Sequence, residues 1–234
     1  MRVRGVRADA LGLPGRALTV VAAAAVLCAC VTSGARRSER QREARRHVRA
    51  GQVMFQQGKT TKAIESIHKA LEIDPALAEA YNLLGVIYLQ QSDFKMAAEN
   101  LRRAVEMDPY YTDAHNHLGV AYKELGKYDR AREQFETALK DASYRTREKI
   151  YLNLGYLYLK QGRGQDAVRA FGQAVALDPD YARAFLGLGR AYRLTGQGDL
   201  AGQAFRRVLE LGPDTPEAAT ARQYLDGRAK RDDP

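Results

Sequence analysis

The side chains best suited to chemistry are two cysteines and two histidines. Cys28 and Cys30 are the only cysteines of the 234 residues, so no downstream thiol can pair with them or complete a zinc knuckle. His115 and His117 are two residues apart, and on a helix such side chains point about 200° away from each other, too far to share one metal ion. His115 also takes the place of a bulky core residue in a repeat described below, which favours packing. The sequence therefore predicts no metal site and no cofactor.

Two glycine pairs look like fragments of phosphate-binding loops but lack the required context. Gly162 with Gly164 and Gly187 with Gly189 do not lie between a strand and a helix, which is where such a loop works. The sequence also has no GxSxG, HExxH or Walker motif. Its acidic residues fall on outer helix faces, where a solvated surface is the ordinary interpretation. We therefore predict that the protein is not an enzyme and takes no small-molecule substrate.

The formal charge of +9 is concentrated near the N-terminus. Residues 1–29 carry a net +3 and residues 36–49 a net +5, which leaves residues 50–234 at +1. A nucleic-acid-binding domain would present a basic face across its folded body. This distribution does not support nucleic acid as a partner.

The first thirty residues have the layout of a secretory signal. Arginines precede the apolar run 17–30, whose fourteen residues are too few to cross a bilayer, which needs about 20. The run ends in Leu27-Cys28-Ala29-Cys30, which resembles the bacterial lipobox, and Cys30 takes the place of the lipidated residue. We predict a lipoprotein signal peptide at 1–29 and a lipid anchor on Cys30. The alternative is an ordinary signal peptide in which the cysteines are incidental.

Residues 30–43 are predicted to form an Arg-rich linker behind the lipidated cysteine. Basic residues beside a lipid anchor can contact anionic head groups, at about 1 kcal/mol for each residue near the surface. The second interpretation is a solvated linker that becomes the start of the first helix. Both interpretations stay open from the sequence.

A period of 34 residues governs the remaining chain and resembles the tetratricopeptide repeat. The pattern predicts an all-α, right-handed superhelical solenoid of five helix pairs over 44–229 with a five-residue tail, 230–234. The five units and the C-terminal capping helix are 44–77, 78–111, 112–147, 148–181, 182–215 and 216–229.

Recurring small and large residues explain how each pair would pack. The first helix carries a Leu-Gly pair, as at Leu118-Gly119, and the second carries Ala, a large apolar residue and a small residue, as at Ala131, Phe135 and Ala138. These spacings of three and four place the side chains on one helical stripe, and the small residues allow close approach. A glycine such as Gly126 marks the turn within a pair, and Asp-Pro closes units one, two and four.

Stacked pairs of this kind turn their first helices toward a concave surface on which a partner can bind. The groove-facing places should be the second, fifth, ninth, twelfth and thirteenth of each unit. They contain Asn82, Val86, Leu89, Gln90, Asn116, Val120, Lys123, Glu124, Leu152, Tyr156, Leu159, Lys160, Arg183, Leu186, Arg190 and Arg193. An apolar patch followed by an arginine cluster would suit an amphipathic or acid-bearing protein segment. In the alternative interpretation these residues only pack inside the superhelix.

The third unit is two residues longer than the others and lacks the closing proline. Its junction, from Asp141-Ala-Ser-Tyr144 to Asn153-Leu-Gly155, resembles that of the type IV pilus biogenesis lipoproteins, the pilotins of the outer-membrane secretin. The order of parts is also similar: lipobox, Val-Thr-Ser-Gly, a short charged linker and tandem repeats.

This resemblance implies a protein anchored by its lipid on the periplasmic face of the outer membrane. Such a protein would bind secretin subunits and assist their assembly and localisation. Val31 after the cysteine is compatible with outer-membrane sorting where aspartate at that place directs retention. The rival hypothesis is a lipid-anchored adaptor that regulates periplasmic cell-wall hydrolases or proteases, since it would have the same architecture apart from the 141–155 junction.

Overall fold

The computed structural model describes residues 38–227, and in this range the backbone is helical throughout apart from turns and short loops. The first helix, α1, covers residues 38–56. The others are α2 Thr60–Ile73, α3 Ala78–Gln90, α4 Phe94–Met107, α5 Thr112–Glu124, α6 Tyr128–Leu139, α7 Arg147–Lys160, α8 Gly164–Leu177, α9 Ala182–Leu194, α10 Gly198–Leu211 and α11 Pro216–Leu225. They form five pairs, α1–α2 to α9–α10, with α11 at the end, so the all-α solenoid predicted from the repeat is confirmed.

Each pair turns at one backbone position with a positive φ. Gly58, Gly126, Gly162 and Gly196 have φ between 68° and 76° at this position, which only glycine adopts without a steric penalty. The second pair has Ser92 there, at φ 60°. An aspartate then shapes the loop between pairs, since the carboxylates of Asp74, Asp108 and Asp178 accept hydrogen bonds from the backbone N–H two residues on.

The Leu-Gly position is where the two helices of a pair come into closest contact. A Cβ atom on Gly119, Gly155 or Gly189 would lie 2.5 Å from the ring of Phe135, Phe171 or Phe205, respectively. These three phenylalanines, each from the second helix of its pair, are at most 2% exposed. Because glycine has no side chain, these positions on the first helix leave space that the phenylalanines of the second helix fill. This contact confirms the packing predicted from the sequence.

Stacking of the pairs joins these contacts into one continuous core. Its members include Ala70 and Ala80 in the first two pairs and Ala174 and Ala184 in the last two, all fully buried. The helix α11 covers the end of the stack: Thr215 caps it by accepting a hydrogen bond from the Ala218 N–H, and Tyr224 stacks on Phe205 with ring centroids 4.7 Å apart. The final pair thus has its apolar face covered.

Two regions differ from the simple repeat. The helix α1 already includes residues 38–43, which the sequence analysis assigned to the linker, because Ala44 and Val48 anchor this helix in the core and its arginines are good helix formers. At the third junction, Asp141 replaces the Asp of Asp-Pro and accepts from the Ser143 N–H, and Tyr144 donates to the Asp113 carboxylate. The extra residues therefore lengthen a junction that keeps its aspartate turn.

Candidate protein-binding groove

The first helices of successive pairs form the inner layer of the stack. Within the described residues, α3 contacts α5, α5 contacts α7 and α7 contacts α9, whereas α4, α6, α8 and α10 make no contact with one another. Because the first helices of neighbouring pairs are in contact and the second helices are apart, the stack curves toward the layer of first helices. The concave face is therefore formed by the first helices.

Polar side chains link these inner helices to one another. Asn82 on α3 accepts a hydrogen bond from His117 Nδ1 on α5 at 2.9 Å, and its amide donates to the Tyr111 hydroxyl at 3.2 Å. One pair further along, the Asn153 amide donates to Asn116 Oδ1 at 2.9 Å. These side chains are about one repeat apart in sequence, so the links fix the spacing of neighbouring units.

A cavity of about 430 Å³ opens at the end of the groove formed by α1, α3 and α5. Its lining combines charged, polar and apolar side chains: Arg45, Val48, Arg49, Gln52, Glu79, Asn82, Leu83, Tyr111, Asp113 and His117. Of these residues, the sequence analysis assigned only Asn82 to the groove, because it began the groove at the second unit. The same repeat places applied to residues 44–77 give Arg45, Val48 and Gln52, so the signal was present.

The environment of this cavity disfavours some charged forms. Burial lowers the pKa of His117, with the Asp113 carboxylate opposing that shift, so the ring is held neutral. Burial also raises the pKa of Tyr111 to about 12, and the carboxylates of Asp113 and Glu79 add to this effect. At neutral pH both side chains are uncharged hydrogen-bonding groups, suited to a polar or backbone group of a partner.

The predicted groove residues lie on the inner helices with unequal exposure. Leu152 is 4% exposed and Asn116 8% exposed, so neighbouring helices cover both. Four others, half-buried, pack against the core with part of the side chain accessible: Leu89, Val120, Tyr156 and Leu159. Val86 and Leu186 are also half-buried, and Gln90 is exposed. The accessible apolar surface is thus narrower than the sequence pattern alone suggests.

Charged groups differ along the groove. In the middle, the Glu124 carboxylate lies 2.9 Å from Lys123 Nζ and 3.1 Å from Lys160 Nζ. Burial alone would raise the pKa of Glu124, but the two ammonium groups outweigh burial and lower it. On α9, Arg183 is paired with Glu217 at 3.8 Å and Arg193 lies over the Tyr224 ring, 4.8 Å from its centroid. The third arginine, Arg190, lies near Tyr156, as Arg183 does. Burial raises the pKa of Tyr156, and the positive charges of both arginines oppose that rise. Arginine side chains thus gather at the C-terminal end of the groove.

The remaining predicted features lie elsewhere. Cys30 and the signal peptide fall outside the described residues. His115 is buried, with its ring nitrogens 2.7 Å from Gln134 Oε1 and 3.0 Å from the Pro109 carbonyl oxygen. Among residues 38–227 no group of three or more His, Cys, Asp or Glu side chains is placed to hold a metal ion. None of the helices in this range combines the length and apolar character needed to cross a bilayer.

The described helices define a helical-repeat protein with a concave inner face, the architecture that binds other proteins. Sequence models of the tetratricopeptide repeat match residues 51–92, 88–143 and 152–216. The chain is therefore a tetratricopeptide-repeat protein. No curated protein matches it.

Solved structures with the same fold come from several proteins. MamA is 26% identical, with 70% of this chain and 94% of that chain covered and a TM-score of 0.62. PilF of Pseudomonas aeruginosa is 24% identical, with 80% and 86% covered and a TM-score of 0.71. PilW, described as a widely conserved type IV pilus biogenesis factor, is 23% identical, with 80% and 87% covered and a TM-score of 0.72. At these identities the likeness to PilF and PilW concerns the fold.

Proposed function

We propose that this tetratricopeptide-repeat scaffold is anchored by lipid on the periplasmic face of the outer membrane and assists assembly and localisation of the type IV pilus secretin. The observation that carries the protein-binding part is the curved inner layer of first helices, which leaves a groove with an accessible cavity. The cavity offers both hydrogen-bond donors and acceptors, as a peptide backbone requires.

The finer assignment is supported by two further points. The order of lipobox, charged linker and repeats resembles that of the pilus lipoproteins. PilW, whose fold covers 80% of this chain, is described as a type IV pilus biogenesis factor. A secretin subunit is therefore the partner that we assign to the groove.

Deletion of the gene and immunoblotting for heat-stable secretin multimers tests this assignment. We expect loss of the multimers and of twitching motility, both restored by the wild-type gene. Gln52 is exposed in the cavity lining, so Gln52→Trp should fill the cavity and fail to restore them. Gln203→Trp, on the exposed face of α10, is the matched control and should restore both. Normal multimers and motility in the deletion strain would reject the secretin assignment.

The anchor is tested separately by labelling with palmitate and fractionating the cells. Cys30→Ser should abolish the label and release the protein from the membrane fraction, because the acyl chains supply the lasting attachment. Cys28→Ser should leave both unchanged. Retention of label by the Cys30 variant would reject Cys30 as the anchor.

A further inference from the structure

At the N-terminal end of the repeat stack, no part of residues 38–227 packs on the outer face of α1. In every later pair, the third and tenth places of the first helix pack against the preceding pair and are fully buried. The residues at the third place are Ala80, Ala114, Ile150 and Ala184, and those at the tenth are Ile87, Ala121, Leu157 and Ala191, all 0% exposed. The corresponding residues of α1 are Arg46, which is exposed, and Val53, which is 51% exposed.

An arginine at a place where the other pairs have alanine or isoleucine is incompatible with another repeat stacked there. The guanidinium would have to leave water without a partner, at a cost of several kcal/mol. The end face is therefore suited to water or to a surface that favours positive charge.

Basic side chains surround Val53 on this face. Arg42, Arg46, Arg49 and Val53 are spaced by four, three and four residues, so they form one stripe along α1. Arg49 and Val53 also line a mainly apolar groove together with Ala50, Met54, Gln57, Lys59 and Lys62. Glu39 and Glu43 lie beside Arg42 and Arg46 at the start of the helix. The two grooves together are lined by five basic residues and these two carboxylates, an excess of three positive charges. The five are Arg42, Arg46, Arg49, Lys59 and Lys62.

The arginines of the stripe are not paired within the part of the chain that the structure describes. Arg40 and Arg45 make contacts within the protein, to the Ile73 carbonyl and to Glu79. No ion pair among the described residues involves Arg42, Arg46 or Arg49. The stripe also begins only twelve residues after Cys30, so a lipid on that cysteine would keep this end of the stack beside the bilayer.

We propose that this end face, formed by Arg42, Arg46, Arg49, Val53 and Lys62, is a docking surface for an anionic lipid bilayer. Basic side chains contact lipid phosphates while Val53 enters the apolar boundary between head groups and acyl chains. The contact goes beyond the proposed secretin function and needs no partner protein. It would stand the solenoid on the membrane by its N-terminal end and leave the groove accessible from the side.

Vesicle flotation with residues 31–234 measures this contact without the anchor. This range contains every repeat and the capping helix, so the whole core is present. The probe is a vesicle of phosphatidylcholine with about 30% phosphatidylglycerol, compared with phosphatidylcholine alone. We expect flotation with the anionic vesicles only, and a loss of binding when salt is raised from about 0.05 M to about 0.5 M.

The combined change Arg42→Gln, Arg46→Gln and Lys62→Gln should weaken partitioning about a hundredfold, at roughly fivefold for each basic residue near the surface. Arg49 is left in place because it also lines the protein-binding cavity. Lys95→Gln, Arg102→Gln and Arg206→Gln together remove the same charge from exposed sites on α4 and α10 and should leave partitioning unchanged. Val53→Asp, at an exposed site, provides a second variant and should also weaken binding.

Three results would overturn the proposal: equal binding to neutral vesicles, equal loss in the two triple variants, or undiminished binding by both the end-face triple variant and Val53→Asp. Equal loss would mean that only total charge matters. None of these outcomes bears on secretin assembly, which is read from multimers in cells, so the two proposals fail independently.

Discussion

At the scale of single residues, the Leu-Gly glycines set how closely the helices of a pair approach. Gly119→Ala would place a Cβ 2.5 Å from Phe135 Cε1, and neighbouring side chains would have to move. We expect a loss of about 1–3 kcal/mol in the free energy of unfolding, as is usual for an overpacked core. Urea unfolding followed by circular dichroism measures it.

Gly172→Ala is the matched control for that experiment. Gly172 lies inside α8, and no other side chain or helix lies within 4 Å of where its Cβ would be. Alanine is the better helix former by up to about 1 kcal/mol, so this variant should be stabilised. If the free energy of unfolding changed in the same direction in both variants, the close-contact explanation would be contradicted.

His117 should make stability depend on pH. Burial lowers its pKa in the folded protein below the ordinary value of 6.5. As the pH falls below 6.5, the unfolded chain therefore binds a proton that the folded chain resists, and the free energy of unfolding decreases. Above that value the contribution of the neutral ring is fully present. Chemical denaturation at a series of pH values down to about 5 would detect the decrease.

His117→Gln should flatten this pH dependence, because glutamine can donate to Asn82 without titrating. His68→Gln, at an exposed site on α2, is the control and should leave the slope as in the wild type. An unchanged slope in the His117 variant would mean that other groups cause the acid sensitivity.

At the scale of helices, α11 protects the end of the stack through few contacts. Tyr224 stacks on Phe205 with an interplanar angle of 2° and lies beneath Arg193. Tyr224→Ala removes both contacts, and an aromatic pair is worth about 0.5–1.5 kcal/mol beyond its buried area. Because each repeat contacts only its neighbours, we expect faster amide hydrogen exchange in α10 and α11 and little change in α3 and α4.

Leu225→Ala is the control at the same end, since Leu225 is 37% exposed. It should leave exchange in α10 nearly unchanged. Faster exchange along the whole stack in the Tyr224 variant would show that the solenoid unfolds as one unit, contrary to the nearest-neighbour expectation.

The helices were more predictable from the sequence than the groove, for a physical reason. Glycines such as Gly126 and contacts such as Gly119 with Phe135 recur because each pair solves the same packing problem, so one repeat predicts the others. Exposure in the groove depends on which neighbouring side chains cover a place. Val120 and Tyr156 share the ninth place and remain accessible, whereas Leu152, at the fifth place, is almost fully covered.

The first unit was the part of the repeat array that the sequence predicted least well. The sequence left open whether the segment 30–43 joins the first helix, and it did not indicate that Arg46 stands at a stacking place where the described residues provide no neighbour. Such facts depend on the ends of the array, where the repeat no longer determines the surroundings.

At the scale of the whole molecule, the groove has one end with mixed charge and one end rich in arginine. The cavity formed by α1, α3 and α5 contains Arg45 and Arg49 together with Glu79 and Asp113. The α9 end has Arg183, Arg190 and Arg193, and the Arg183 side chain is 60% exposed. An acidic partner segment should therefore bind with its carboxylates toward α9, because complementary charge steers and orients association.

A synthetic amidated peptide of alternating Glu and Leu, followed by fluorescence anisotropy, tests this orientation. Arg183→Glu should weaken its binding about fivefold or more at low salt, since the change replaces attraction with repulsion. Arg206→Glu makes the same change in total charge on α10, away from the groove, and should have little effect. A Lys and Leu peptide should show the reverse response to Arg183→Glu. If both glutamate variants weakened the acidic peptide equally, net charge would govern the interaction, and the arginines of α9 would have no special part in orienting a partner.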